Sequence, residues 1–408
     1  MLVESVDLYA MNNTKNLSTA LSLGLLAALG GAALAQGVDD PRVWMTELPT
    51  DAPFWGGLKF SGDGSTIAFV NDPPDTPEVY LHTGGEWRVI YRYAGVGVYF
   101  PSVTGLSEDG SVLVLSDGSI SHVYQDGLFV QLPPVWDDGV GMDVSNGSTG
   151  ASSVSGDGRI VGVTGRATGN HTTYSALIWN GDRQLSNLSN EGNDYIRNWV
   201  SGLSNDGGVV FGTYEQSEPH NDIGWTNVSY SWVHEDGVMM DIPNLDLGFD
   251  LLSSANAISG NGEAIVGWSY GRWANEPDDE STDSILSPKH AWIWTRETGT
   301  VEVADPARFE GIALRDITDD ATTVLGTGTS FDGESEHQLL WYRTDNRFVV
   351  IDDLLLRLGI SINADWYSFD QISSDGSKLM GVSVLDGQYS AFTVTIPIRN
   401  TPISAAKP

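Results

Sequence analysis

The sequence predicts an all-β protein, a seven-bladed β-propeller with four antiparallel strands in each blade. Three observations carry this prediction. A turn of the type Ser-x-Asp-Gly recurs seven times, its copies start 46 to 59 residues apart, and short runs rich in Val, Ile, Tyr, Phe and Trp lie between them. Spacing of this size is typical of four-stranded propeller blades rather than of helical solenoids.

The turn is the most constant part of the repeat. Its copies begin at Ser61, Ser107, Ser155, Ser204, Ser259, Thr318 and Ser373. Ser and Asp side chains hydrogen-bond to backbone groups one or two residues on, and Gly tolerates the positive φ that closes a hairpin. The sixth copy carries Ala321 in place of this Gly. We therefore expect a cost on the order of 1 kcal/mol, or a different turn, in that unit.

Four strands per unit follow from the apolar runs. In the first unit they occupy residues 52–61, 66–70, 78–83 and 87–93, each short and rich in β-branched or aromatic residues. The third strand is the easiest to follow along the chain. It recurs at residues 122–124, 176–179, 230–233, 290–294, 338–341 and 391–394. A second turn and a fourth strand follow most of these runs.

The two ends of the array are complementary. Residues 42–48 alternate as a strand does, but they precede the first turn. The seventh unit stops after residues 390–396, because Pro397, Pro402 and Pro408 oppose a further strand. The sequence therefore predicts that the N-terminal strand closes the last blade, which removes the unpaired edge of an open array.

The N-terminus has the pattern of an export signal. Lys15 precedes an apolar run over residues 17–34, and Ala33-Leu34-Ala35 is a small-x-small cleavage site. We assign residues 1–35 to a signal peptide whose true start is Met11, residues 36–396 to one propeller domain, and residues 397–408 to a tail. The predicted location is secreted or periplasmic in a bacterium; a retained membrane anchor is the alternative.

Charge and composition restrict the partners. A formal net charge of -34 argues against nucleic acid and anionic membranes. We expect a monomer without membrane insertion, whose partner is a polysaccharide, a surface glycan or a protein. The chain has no Cys, which excludes disulfides and thiolate metal sites. No cofactor is expected and no metal ligand is assigned, although calcium is left open.

Two acidic segments carry that calcium alternative. Asp137-Asp138 with Asp143, and residues 278–280 with Asp283, supply oxygen ligands, but neither matches a calcium-loop pattern. A solvated acidic loop is the favoured interpretation of both.

The repeat resembles a known family. His290-Ala291-Trp292 and Ser390-Ala391-Phe392, together with the turn segment 258–267, resemble the bacterial extracellular HAF repeats, named for a His-Ala-Phe triplet. The resemblance covers about residues 52–396 and implies secretion and a repeat fold. It implies no activity and no catalytic residues. In architecture, the chain is also similar to seven-bladed propeller polysaccharide lyases.

The candidate site lies on the face that carries the long connections. The second and third strands of units three to six are expected to be joined by loops at residues 164–174, 213–228, 269–289 and 327–336. Candidate substrate-binding residues in or beside these loops are Arg166, Trp199, Trp225, Arg272, Trp273 and His290. Candidate catalytic residues are His171, Tyr174, Tyr195, Arg197 and His220.

These residue types favour glycan binding on the loop-rich face of blades three to six, because aromatic rings stack on sugars. Acidic polysaccharides are included among the candidate glycans, because Arg pairs with carboxylate or sulfate groups. The alternative is a polysaccharide lyase, in which Arg neutralises a uronate and His or Tyr removes the C5 proton. A second alternative is a cell-surface protein-interaction scaffold. For each single aromatic or His residue, a role in packing or on the surface is the competing interpretation.

Overall fold

The structure is a computed structural model of the 408-residue chain. It describes residues 42–49, 57–71, 77–92, 102–116, 120–133, 148–167, 173–181, 186–188, 197–220, 224–245, 251–271, 289–305, 307–331 and 335–397. The expected signal peptide and the tail from residue 398 lie outside these ranges. Within them, no helix is both long enough and apolar enough to cross a bilayer.

Seven sheets of four antiparallel strands form a ring, so the predicted seven-bladed β-propeller is confirmed. In chain order the first strands are β1 (Val43–Glu47), β2 (Leu58–Phe60), β3 (Ile67–Asn71), β4 (Glu78–Thr83), β5 (Glu86–Arg92), β6 (Ser102–Leu106), β7 (Val112–Ser116), β8 (Ser121–Gln125), β9 (Leu128–Gln131), β10 (Ser148–Val154), β11 (Val161–Ala167), β12 (Thr173–Trp179) and β13 (Ser186–Asn187).

The second half of the ring follows the same order. Its strands are β14 (Arg197–Leu203), β15 (Val209–His220), β16 (Gly224–Glu235), β17 (Val238–Ile242), β18 (Leu251–Ile258), β19 (Ala264–Gly271), β20 (His290–Thr295), β21 (Gly299–Val303), β22 (Gly311–Ile317), β23 (Thr323–Thr329), β24 (Glu336–Tyr342), β25 (Arg347–Val350), β26 (Trp366–Ile372), β27 (Lys378–Leu385) and β28 (Gln388–Thr395). Blade 1 is β2–β5, and each later blade takes the next four strands until blade 7.

Blade 7 is closed as the sequence predicts. Strand β1 pairs antiparallel with β28, from Val43 opposite Val394 to Glu47 opposite Ser390. The sheet order is β1-β28-β27-β26, so β1 is its outer strand. The N-terminal strand therefore covers the edge that the seventh repeat leaves unpaired.

The seven turns are joined to one another in a circle of backbone hydrogen bonds. Each bond links the second or third residue of one turn to the corresponding part of the next turn, at 2.9 to 3.2 Å. The donor–acceptor pairs are Gly62–Glu108, Glu108–Gly156, Asp157–Asn205, Asn205–Gly260, Asn261–Asp319, Asp319–Ser374 and Ser374–Gly62. The last pair returns to the first turn, so the disc is closed at this face as well as through blade 7.

Each turn is stabilised by a buried hydroxyl. In the first copy the Ser61 hydroxyl donates to Asp63 at 2.8 Å and accepts from the backbone nitrogen of Thr66 at 3.0 Å. The same two bonds recur in every copy, with Thr318 in the sixth. Because the hydroxyl is buried, it satisfies a backbone donor that water does not reach.

Ala321 keeps the same turn as its glycine counterparts. Its φ is 57°, close to the 69° of Gly64, and its nitrogen donates to the oxygen of Thr318 at 3.0 Å. Of the two expected outcomes, the strained backbone is therefore the one adopted. The Ala321 methyl group is buried in the cluster with Ile317 and Val324, and this packing offsets part of the strain.

The core lies between blades. One cluster combines Val266 and Ile293 of blade 5 with Ile312 and Leu314 of blade 6, and six similar clusters complete the ring. Apolar residues of each blade therefore pack against those of the neighbouring blades. Stability depends on the whole ring because no blade buries its two faces alone.

Two features differ from the sequence prediction. The expected loop over residues 213–228 is wrong: β15 and β16 continue as a paired ribbon, with Pro219 opposite Trp225 and His220 opposite Gly224. The other three expected loops, over residues 164–174, 269–289 and 327–336, include the ends of strands such as β11 and β23. Secondly, the sequence predicts an all-β protein, whereas Ile351 begins a helix, α1 (Ile351–Leu358), which packs Leu354 and Leu355 into the core.

Candidate functional site

We call the four strands of each blade a, b, c and d, from the inner to the outer strand. The b-to-c connections within blades and the d-to-a connections between blades share one side of the disc, which we call the loop face. The Ser-x-Asp-Gly turns and the c-to-d turns lie on the other side, the turn face. Arg197 begins β14, His290 begins β20, and His220 ends β15, so all three lie at the loop face. The structure thus brings these candidates to one side, as expected.

Tyr174 and Arg197 meet at the junction of blades 3 and 4. The guanidinium carbon of Arg197 lies 5.7 Å from the centre of the Tyr174 ring. The same guanidinium lies 3.5 Å from a carboxylate oxygen of Glu215 on β15. Tyr174 is half-buried and Arg197 is exposed. The pair therefore offers a cation and an aromatic ring to solvent, with part of the charge compensated by Glu215.

A second aromatic–cation pair lies at the junction of blades 5 and 6. The rings of Trp268 and Tyr270 stack with centroids 5.0 Å apart, and the Lys289 ammonium lies 5.1 Å from the Trp268 ring centre. The backbone oxygen of Lys289 accepts from Ile312 of blade 6 at 2.8 Å. Trp268 and Tyr270 were not sequence candidates, although their spacing of two residues on a strand would place them on one face.

His290 has a partner that limits its role. Its Nδ1 atom lies 2.8 Å from a carboxylate oxygen of Glu302 on the neighbouring strand β21. Trp199, another candidate, is partly buried on the inner strand β14, opposite Thr213. The structure therefore gives His290 a cross-strand contact and places Trp199 on the inner strand of blade 4.

The remaining candidates divide into two groups. The structure gives strand positions to Arg166, His220 and Trp225, on β11, β15 and β16. Trp225 was expected in a loop but lies in the ribbon of blade 4. The pairing of β15 with β16 extends as far as Trp225, which lies opposite Pro219. His171, Tyr195, Arg272 and Trp273 lie outside the described residues.

A cleft opens on the loop face of blade 6. Its volume is about 490 Å³, and its lining consists of Arg308, Phe309, Ser330, His337, Val350, Asp352 and Asp353. The Arg308 guanidinium lies 5.3 Å from the Phe309 ring centre. Phe331, next to the cleft residue Ser330, is 61% exposed to solvent. None of these residues was a sequence candidate. They come from four separate segments between residues 308 and 353 and meet only in the folded blade.

The inner strands of blades 1, 6 and 7 carry charged groups toward each other. Burial raises the pKa of Asp316 to about 6, opposed by hydrogen bonds from Ile372 and Ile317 and by the charge of Lys59. Burial lowers the pKa of Lys59, against the attraction of Asp316 and Asp370. The pKa of Asp370 is also raised by burial. These groups join neighbouring blades and compensate one another.

No His, Asp or Glu cluster among the described residues has the geometry of a metal site. Both acidic segments considered for calcium, at residues 137–143 and 278–283, lie outside those ranges. Calcium binding there stays the alternative to the favoured solvated acidic loop.

No protein-family model and no curated protein matches the chain. Solved structures resemble its fold at low identity. A putative TolB from Agrobacterium tumefaciens is 12% identical, with a TM-score of 0.39 over 77% of this chain and 95% of that one. TolB from Acinetobacter baumannii is 14% identical, with a TM-score of 0.38 over 70% of this chain; the chain spans 62% of that protein.

The β-propeller domain of the Trilobed protease from Pyrococcus furiosus is a third similar structure. It is 10% identical, with a TM-score of 0.47, over 87% of this chain and 98% of that chain. That propeller has an open velcro topology. TolB-like and protease propellers are therefore among the solved structures to which this chain is similar.

Proposed function

We propose that the loop face binds a carbohydrate chain. The observation that carries the proposal is the repeated pairing of an aromatic ring with a cation on this face, as Tyr174 with Arg197 and Trp268 with Lys289. Aromatic faces stack on the C–H faces of sugar rings, and Arg and Lys pair with carboxylate or sulfate groups. An acidic polysaccharide would use both members of each pair.

Exposed aromatic residues extend this surface. Phe331 lies beside the blade 6 cleft, and Trp366 begins the inner strand of blade 7 with 54% of its surface exposed. Lys289 has no acidic partner among the described residues, whereas Arg197 is close to Glu215. We therefore expect Lys289 to contribute more than Arg197 to the attraction of an anionic chain, against the net negative charge of the protein.

The binding test uses a matched pair on the opposite face. Arg347 lies 4.8 Å from the ring centre of Tyr342, at the c-to-d turn of blade 6 on the turn face. Affinity electrophoresis against a panel of neutral and uronate polysaccharides should show retardation of the wild type. Arg197→Ala and Trp268→Ala should weaken retardation, and Arg347→Ala should not. Equal effects of all three, or no retardation by any glycan, would refute the proposal.

The lyase alternative is supported only by the proximity of Arg197 and Tyr174, which are the residue types of a charge neutraliser and a base. β-Elimination of a uronate polysaccharide creates an unsaturated product that absorbs ultraviolet light. Absorbance that increases with wild type and is lost in Tyr174→Phe would favour lysis. Retardation without absorbance would favour binding, and neither signal would favour the protein-interaction scaffold.

We further infer that the protein acts outside the cytoplasm, in the periplasm or as a secreted protein. The charged Lys15, the following apolar run and the Ala33-Leu34-Ala35 site support this location, as does the resemblance to the extracellular HAF repeats. N-terminal sequencing of protein from the native or a bacterial host tests it. A mature chain that starts at Gln36 is expected, and an intact leader in the cytoplasmic fraction would contradict it.

A further inference from the structure

The cleft of blade 6 contains a serine and a histidine in contact. The hydroxyl oxygen of Ser330 lies 3.0 Å from Nε2 of His337. This distance is within the range over which a histidine can accept the proton of a serine nucleophile. Both side chains are half-buried, and both line the cleft that opens to solvent.

The local structure holds this pair in place. Ser330 directly follows β23, and its nitrogen donates to the oxygen of Ser335 at 2.9 Å, which extends the ladder that ends with Thr329 opposite Glu336. The imidazole of His337 lies with its centroid 6.1 Å from that of the buried Phe309 ring. Hairpin pairing therefore fixes the serine, while the packed ring limits the positions open to the imidazole.

The two side chains are not needed for the strand pairing around them. The ladder uses backbone groups, and the apolar core of this blade is formed by neighbouring residues such as Leu339. His290 begins the corresponding strand of blade 5, but its Nδ1 atom contacts the carboxylate of Glu302. His337 differs because the group beside it is a hydroxyl, which can become a nucleophile.

We propose that Ser330 and His337 form a catalytic dyad that cleaves an acyl ester of an alcohol. The Ser330 oxygen forms a bond to the ester carbonyl carbon while its proton moves to Nε2 of His337. Collapse of the tetrahedral intermediate breaks the bond to the alcohol oxygen, which leaves with that proton. Water then attacks the acyl-serine with His337 again as base, and this step releases the carboxylic acid and restores the serine.

The other lining residues restrict the ester. Arg308 supplies the positive charge that favours a developing oxyanion in this cleft. Phe309 and Val350 are apolar and suit a short alkyl group, whereas Asp352 and Asp353 disfavour an acyl group that carries a negative charge. A cleft of about 490 Å³ accommodates a small acyl group on a larger alcohol. The dyad would act on such an ester whether or not the loop face binds a glycan.

The full-length mature protein is tested with a fluorophosphonate probe and with 4-nitrophenyl acetate. We expect a single adduct on Ser330 by peptide mass spectrometry. Ser330→Ala should remove the adduct, and His337→Gln, which keeps a polar side chain of similar reach, should lower the labelling rate about 100-fold. His234→Asn, near the end of β16 on the turn face, should leave labelling and ester cleavage unchanged. Circular dichroism and thermal melting confirm that each variant is folded.

The outcomes separate a dyad from a surface hydrogen bond. Labelling of Ser330 that depends on His337 supports the proposal. Absence of a Ser330 adduct in folded wild type, or ester cleavage by folded Ser330→Ala or His337→Gln at the wild-type rate, overturns it. In the second case the hydrolysis would come from other nucleophiles on the surface.

Discussion

A carboxylate oxygen of Asp316 in blade 6 accepts a 2.8 Å hydrogen bond from the backbone nitrogen of Ile372 in blade 7. The next junction repeats this contact, since the side-chain oxygen of Gln371 accepts from the nitrogen of Phe60 at 2.9 Å. The inner strands of adjacent blades share no ladder, and the side chains satisfy backbone donors there. Lys59 occupies the corresponding position in blade 1. Its ammonium group cannot accept a hydrogen bond from a backbone nitrogen and interacts instead with the charges of Asp316 and Asp370.

Asp316 should make stability depend on pH in a direction opposite to most carboxylates. Its pKa is raised to about 6 in the folded state, above its value in an unfolded chain, so the folded protein binds more protons between these two values. The stabilising contribution is therefore complete below the unfolded pKa and is lost as the pH rises toward and through 6. Above that pH it stays absent.

Asp316→Asn isolates this effect. Denaturant unfolding at pH 4.5 and at pH 7.5 should show that wild type loses about 1 to 3 kcal/mol relative to the variant as the pH rises. Hydrogen bonds from Gly208 and Ser204 lower the pKa of the turn residue Asp206, which acts in the opposite direction, but this residue is common to both proteins. A pH-independent difference between the two proteins would contradict the prediction.

Removal of β1 should destabilise the whole ring. The strand covers the edge of β28, and Leu48, which directly follows the strand, belongs to the core cluster with Phe60 and Met380. A protein that starts at residue 50 should melt at least about 10 °C lower or aggregate through the exposed edge. A synthetic peptide of residues 42–49 added in excess should restore part of the melting temperature, and a scrambled peptide should not. Unchanged stability after truncation would show that closure of blade 7 is dispensable.

The buried turn hydroxyls should each matter for stability. Ser259→Ala leaves the backbone nitrogen of Ala264 without its 3.0 Å acceptor and removes the bond to Asn261. We expect a loss of about 1 to 3 kcal/mol in the free energy of unfolding. Glu263→Ala alters an exposed residue of the same turn and should change it by less than about 0.5 kcal/mol. Similar values for both variants would argue against a structural role of the hydroxyl.

Gly267 should not tolerate a side chain. A Cβ atom there would lie 2.2 Å from the backbone oxygen of Ser254 and 2.5 Å from the indole of the buried Trp292. Gly267→Ala should therefore cost about 2 kcal/mol or more, because overpacking against backbone is not relieved by rotamer changes. In the control Gly208→Ala, the atoms nearest to the new Cβ are those of the Asp206 carboxylate, at 3.2 Å or more, so this change should be close to neutral. Thermal melting of the two variants compares them directly.

Most of the architecture can be predicted from the sequence, because the features that indicate it involve residues close together in the chain. The Ser-x-Asp-Gly turns, the alternation in residues 42–48 and the third strands needed only neighbouring residues to be recognised. The blade 4 ribbon was not predicted because the sequence of its outer part, around Pro219 and Trp225, lacks the apolar alternation that marks a half-buried strand. The helix after β25 was missed for a related reason, since a short helix depends on the core that it covers.

The sequence by itself determined the number of blades, the closure by β1 and the side of the disc on which Arg197 and His220 lie, because turn type and strand order fix these without long-range contacts. The tertiary structure alone decided that Arg197 lies over Tyr174, that Asp316 reaches Ile372, and that Ser330 and His337 share a cleft with Asp352. These contacts join residues of different strands or blades. Their distances depend on how the blades pack around the ring, which no local pattern in the chain encodes.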